Sequence, residues 1–186
     1  MDGFGYSGLN LVWIFLVVLV VFLIAYGIRT ANTLTKLKNK VIELDADIDV
    51  ALTNRYDLLK KQYQIVKLYT SYESKTLMEV IRLRNGMSME QRRTASGQMD
   101  LLEHQMQAVL EAYPNLRSSE TVCALQKSCA EAEAHLQAAR RLYNVGVTNY
   151  NNFCKAFPSS ILATVLGHRE AAYFQADPEK REDIEF

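Results

Sequence analysis

The chain has 186 residues, 49% of them hydrophobic, with 21 basic and 21 acidic side chains. That length accommodates one domain of about 150 residues plus a small extra element. Formal neutrality argues against a nucleic-acid binder, which carries a basic surplus, and eight Gly with three Pro argue against an all-β fold, whose turns consume both.

After a short leader at residues 1–8, residues 11–28 contain no charge, and Leu9 extends the apolar run to residues 9–28 with one interruption at Asn10. As a helix this run reaches ~30 Å, the thickness of a bilayer's hydrocarbon core. Trp13 lies near one end and Tyr26 near the other, where amphipathic rings settle at the interface. Leu9, Leu11, Trp13, Tyr26 and Ile28 therefore mark a membrane-spanning helix. A cleaved signal peptide competes with this reading, since Ala25-Tyr26-Gly27 offers small residues at a cleavage-like spacing. The leader, however, carries Asp2 and no Lys or Arg, so a positive n-region is missing. Arg29, Lys36, Lys38 and Lys40 follow the span closely, and basic flanks stay cytoplasmic. The expected topology puts the N-terminus outside and the rest of the chain in the cytoplasm. Cys123, Cys129 and Cys154 have no CxxC spacing and read as free thiols of a reducing compartment.

Between Ile28 and Asn85 there is neither Gly nor Pro. Leu34, Leu37, Val41, Leu44 and Ile48 form a heptad seam. The seam then steps by four twice, through Leu52 to Tyr56, before Leu59, Tyr63 and Val66 resume the pattern, so residues 48–56 hold either a stutter or a helix junction. Arg55, Tyr56 and Asp57 sit there as a candidate interaction or hinge cluster, the alternative being an ion pair and hydroxyl that cap a junction. The helices expected are 30–54 and 55–84, or one continuous rod. Ser88-Met89-Glu90-Gln91 is a capping box that opens a helix over 88–113, and Ser118 caps the next, over 118–157. On this last helix Val122, Leu125, Cys129, Ala132, Leu136, Ala139, Tyr143, Gly146, Tyr150, Phe153 and Phe157 alternate steps of three and four without error. Ala132, Ala139 and Gly146 make one row small, a close-packing seam. Its length relative to the preceding helix suggests room for a second copy of the chain. Pro158 ends the helix, and the apolar segment 161–166, stopped by Gly167, is expected either at the bilayer interface or as a plug beneath the bundle. Residues 168–186 read as a charged, mobile tail.

No pattern announces catalysis. Asp45, Asp47 and Asp49 lack the Gly and twelfth-position Glu of a calcium loop; in a helix Asp45 and Asp49 share one face, read as solvated, while Asp47 points elsewhere. The residues three before His104, His135 and His168 are Leu101, Ala132 and Val165, so the Glu-x-x-His pairs of dinuclear bundle sites are missing. There is no Gly-rich phosphate loop and no nucleophile elbow. No cofactor, metal or catalytic residue is expected.

Residues 32–73, NTLTKLKNKVIELDADIDVALTNRYDLLKKQYQIVKLYTSYE, resemble the first signature block of the LemA family. Ala112-Tyr113-Pro114-Asn115-Leu116, then residues 138–157 (AARRLYNVGVTNYNNFCKAF) and 158–163 (PSSILA), resemble its second, and Tyr173-Phe174-Gln175-Ala176 its closing motif. The resemblance implies a bacterial membrane-anchored protein with an antiparallel four-helix bundle and no established biochemical activity, in a family whose range includes building magnetosome membranes. One departure is visible: relatives place Pro-Asn shortly after Arg-Tyr-Asp-Leu, where this chain has Leu59-Lys60-Lys61.

The combined expectation is an all-α, single-pass protein of the bacterial inner membrane. A transmembrane helix at 9–28 precedes an antiparallel up-and-down four-helix bundle of long, coiled-coil-like helices at 29–167. Its function is non-enzymatic scaffolding, in contact with the lipid bilayer and protein partners and open to homo-oligomer formation; the alternative is a membrane-shaping or lipid-organising role.

Overall fold

A computed structural model describes residues 4–69, 81, 83 and 86–174, with side chains from residue 11. The described residues contain helices and no strand: α1 (Phe4–Tyr69), α2 (Met89–Ala112), α3 (Pro114–Arg117), α4 (Glu120–Lys155) and α5 (Ser159–Val165). The helix junction near Asn54 and Arg55 is absent; α1 passes both without a break. With no Gly or Pro to interrupt it, the backbone absorbs the four-residue insertion as a stutter. The separate helices at 30–54 and 55–84 are thus replaced by one rod as far as Tyr69. The rest of the second, from residue 70, lies outside the described residues except for Ile81 and Leu83.

The chain divides into two compact units, one of Met1–Ile42 with Gly146–Ala172 and one of Glu43–Val145 with Tyr173–Phe186. In the second unit the order of contacts fixes helix direction. Asp45 and Asp49 of α1 meet Arg92 of α2, and Arg55 meets Asp100 and Glu103, so α1 and α2 run parallel. Arg55 meets Glu133 and Gln62 meets Cys129, so α4 runs antiparallel to α1. Ile48, Leu52, Leu59, Met99, Leu102, Met106 and Leu136 are buried between them, each apolar side chain of this size contributing about 1.5–3 kcal/mol. Val66, Leu110, Leu116 and Val122 close the core.

Helix ends follow local chemistry. The Ser88 hydroxyl accepts from the Gln91 amide at 3.2 Å while the Gln91 side chain accepts from the Ser88 amide at 2.9 Å, the predicted capping box. At α4 the capping oxygen belongs to Ser119, which accepts from the Val122 amide at 3.4 Å. It replaces the expected Ser118, because Pro114 nucleates the short α3 that ends on Ser118. In the first unit, Gly167 at φ 73 terminates α5: the His168 amide donates to Ala163 O at 2.9 Å and the Gly167 amide to Thr164 O at 3.1 Å. Only a residue tolerant of the left-handed region closes a helix this way.

Candidate functional site

The most concentrated chemistry lies in the second unit, around a guanidinium in the helical core. Arg55 is 2% exposed. Its Nη2 donates to Glu103 Oε2 at 2.9 Å and lies 2.8 Å from Asp100 Oδ1, and its Nη1 lies 2.8 Å from Glu133 Oε2. Three carboxylates from two helices thus converge on one fork, each itself in part open to solvent. Burial opposes the Arg55 charge, but Glu103, Glu133 and Asp100 outweigh it and hold its pKa above the ordinary guanidinium value. Arg140, in the same surroundings, is shifted the other way: burial, with Arg55 adding to it, outweighs Glu133 and Asp100. Its guanidinium stacks 4.8 Å from the Phe174 ring centre.

A second guanidinium fixes the start of α2. Arg92 is buried; its Nε and Nη2 each donate to Asp49 at 2.7 Å, and Nη1 and Nη2 donate to Asp45. Burial again opposes the charge, and the two carboxylates overcome it and raise its pKa. Asp45 and Asp49 do share one helix face, as one turn of separation dictates. That face is not the solvated one expected; it is the receptor for Arg92. Further along α1, the Cys129 thiol donates to Gln62 Oε1 at 3.4 Å. Burial, with Glu103 adding and Arg55 opposing, pushes this thiol up to about 11, so it carries no thiolate at neutral pH.

The cluster expected at Arg55, Tyr56 and Asp57 separates in space. Arg55 points into the core, Tyr56 is half-buried and Asp57 is exposed. Arg55 caps no junction, because it lies mid-helix. The apolar trace through Tyr56 and Tyr63 took a neighbouring line: the most buried line on α1 is Ile48, Leu52, Arg55, Leu59, Gln62 and Val66, with two polar residues at core positions. Arg92, Asp100, Glu103 and Glu133 were not singled out from sequence. The available signal was the heptad spacing of Ile48, Arg55 and Gln62, which places an Arg and a Gln where a hydrophobe belongs.

On α4, Ala132, Ala139 and Gly146 are buried, as are Val122, Cys129, Leu136, Tyr143 and Tyr150. These seam residues are covered within one chain, whereas Phe157, at the end of the seam, is 83% exposed. The tail at 168–186 does not begin where expected. In the first unit the Asn151 amide accepts from the Ala171 N–H at 2.9 Å and donates to the Ala171 carbonyl at 3.0 Å. In the second, Asn144 does the same to Phe174, at 2.8 and 2.9 Å. Each side chain pairs with an extended residue as a neighbouring strand would, which tethers residues 168–174; residues 175–186 lie outside the described set. The Tyr150 hydroxyl and His168 Nδ1 share a hydrogen bond at 3.0 Å, and burial, then Cys154, pushes the Tyr150 phenol up to about 12.

Of the membrane-spanning residues named from sequence, Leu11, Trp13 and Ile28 are exposed and Tyr26 is half-buried; the side chain of Leu9 lies outside the described residues. From residue 11 to 24 every large apolar side chain is between 41 and 67% exposed. This part of α1 is long and apolar enough to cross a membrane and fits a membrane anchor. Among the described residues no group of three or more His, Cys, Asp or Glu is placed to hold a metal ion.

These features define an all-helical protein with one long apolar N-terminal helix, whose continuation is fastened to its neighbours by buried Arg–carboxylate clusters. The LemA family profile matches residues 45–186, and the chain belongs to the LemA family. It is 24% identical over 159 residues to Protein LemA of Metamycoplasma hominis, covering 83% of this chain and 73% of that protein. It is also 33% identical over 73 residues to the magnetosome proteins MamQ 1 and MamQ 2 of Paramagnetospirillum magneticum. That match takes in 39% of this chain and 27% of each relative, so the chain spans only a minor part of their length. Both Arg clusters and both Asn clamps fall inside the matched region; the apolar segment falls outside it.

Proposed function

We propose that this protein is a non-enzymatic, membrane-anchored helical scaffold that assembles, spaces or recruits proteins at a membrane. The observation that carries this reading is the continuity of α1: the apolar segment and the rod that bears Arg55 are one uninterrupted helix, Phe4–Tyr69. Such a helix joins an anchor to a packed helical surface without a break in its backbone hydrogen bonding. Asp45, Asp49, Asp100, Glu103 and Glu133 are engaged by arginines and the Cys129 thiol is held protonated, an arrangement suited to fixing helix register rather than to acid–base or nucleophilic work. α4 runs antiparallel to α1, as helices of an antiparallel bundle do, and the four-helix up-and-down architecture belongs to the proposal.

In this reading the span is single-pass in a bacterial inner membrane. The N-terminus lies outside and the helical units lie in the cytoplasm, on the strength of Arg29, Lys36, Lys38 and Lys40 after the apolar segment. A membrane-shaping or lipid-organising role is the second reading, favoured by the similarity to two proteins named for the magnetosome. Crosslinking in intact membranes, with identification of the captured chains, separates the two. Reproducible protein partners, a second copy of this chain included, support scaffolding; adducts with lipid alone at every crosslinker position would reject it.

A further inference from the structure

The first unit contains a helix that is inside-out. On α5 the inward positions are the small Ser159 and Ala163, both buried. The outward positions, at four-residue steps from Phe157, are Ile161 and Val165, 58 and 77% exposed, with Phe157 itself 83% exposed. A helix packed only against protein in water would bury the large apolar residues and expose the small and hydroxylated ones. The same geometry removes the plug reading of residues 161–166 for Ile161 and Val165, which face away from the protein.

Position in the unit supplies the reason. Thr30 and Leu34 of α1 are buried, whereas the apolar residues up to Ile24 and Ile28 itself are exposed; in this unit the residues that cover α1 come from Gly146–Ala172. The covering therefore begins where the apolar segment ends. Residues 156–167 carry no charge, and they are flanked by Lys155 and Arg169, with Arg29 at the end of the apolar segment. Ser159 Oγ donates to the carbonyls of Phe153 and Ala156 at 2.7 and 2.8 Å. Those carbonyls lie in the last turn of α4 and just after it, and the Gly167 cap closes the C-terminal end of α5, so backbone groups on either side of the uncharged stretch are satisfied, as an apolar boundary demands.

We propose that the face formed by Phe157, Ile161 and Val165 inserts into the headgroup–acyl boundary of the bilayer beside α1, making α5 a second, interfacial membrane contact. This rests on the reading of α1 as a membrane anchor. Interfacial helices bury an apolar face about 5–10 Å into that boundary and favour basic flanks, which Arg169 and Arg29 provide, Lys155 being paired with Glu170 at 2.9 Å.

The test uses the full chain in vesicles of brominated phosphatidylcholine mixed with an anionic lipid. Trp13 is the only tryptophan, so the unmodified protein reports on the anchor. In a Trp13→Phe background, Val165→Trp and, separately, Phe157→Trp report on α5, and Thr53→Trp, at an exposed position of the second unit, reports on water. The expected result is quenching of Trp13 and of both α5 reporters but not of the Thr53 reporter, with bromines high in the acyl chains quenching position 165 more than bromines near the chain ends. Quenched Trp13 with position 165 quenched no more than position 53 overturns the α5 contact and leaves the anchor standing. A blue-shifted but unquenched reporter at 165, as burial against a second copy would give, overturns it equally. Unquenched Trp13 overturns the anchor itself.

Discussion

Replacing Arg55 with Met removes the guanidinium while filling most of its volume, so the change isolates charge. Breaking a buried ion pair by deleting one partner costs about 3–5 kcal/mol. Here the abandoned groups are Asp100, Glu103 and Glu133, which keep 26, 38 and 29% of their side-chain surface exposed. Solvent therefore screens part of their mutual repulsion, and the expected loss is about 2–3 kcal/mol. For a chain of this size that lowers the melting midpoint by about 5–10 °C. Arg55→Lys should lie between: one ammonium keeps the charge but cannot reproduce a fork whose Nη2 serves Asp100 and Glu103 while Nη1 serves Glu133. Thermal melts of the full chain in detergent, followed by circular dichroism, measure this. An Arg55→Met midpoint equal to wild type at neutral pH would refute the electrostatic account.

Asn151→Ala should remove two hydrogen bonds, about 1–3 kcal/mol together, and speed hydrogen exchange at Ala171 while leaving Leu52 unaffected; Asn144→Ala should do the same at Phe174. Gly146→Leu introduces four carbons at a buried position and should cost about 1–3 kcal/mol by overpacking; an unchanged melt would mean that this row yields freely. The Cys129 thiol titrates in the fold at about 11 against an ordinary value of 9.0. Its contribution to stability is thus complete below pH 9.0 and lost as pH rises through about 11, since the unfolded thiol ionises first. In denaturation curves across that window, wild type should lose about 2–3 kcal/mol more than Cys129→Ala; equal losses would contradict the assigned environment.

Elements with a local cause were legible in the sequence. The apolar run at 11–28, the Ser88–Gln91 capping box, the alternation along α4 and the Gly167 stop each depend on residues within a turn or two of one another. Long-range polar contacts were not. Asp100, Glu103 and Glu133 look like ordinary surface acids until Arg55 is placed opposite them, and Arg55 enters the core only because its charge is met from α2 and α4. An apolar tracing skips such a residue and slides to Tyr56, which left a helix junction as an alternative to a stutter. Asp45 and Asp49 were placed on one face correctly, but their partner lies 43 positions beyond Asp49, out of reach of any local pattern. The Asn clamps were missed for the same reason: an exposed Asn and a clamping Asn have the same neighbours in sequence.

The central claim is that α1 crosses the membrane and keeps its helical continuation in the cytoplasm. In a background with Cys123, Cys129 and Cys154 replaced, a cysteine at Ser7 and another at exposed Lys60 can be challenged on intact cells with a membrane-impermeant thiol reagent. The account predicts labelling at position 7 without disruption and at position 60 only after the membrane is breached. Labelling at position 60 on intact cells, with position 7 protected, would contradict it and place the Arg55 rod outside the cytoplasm.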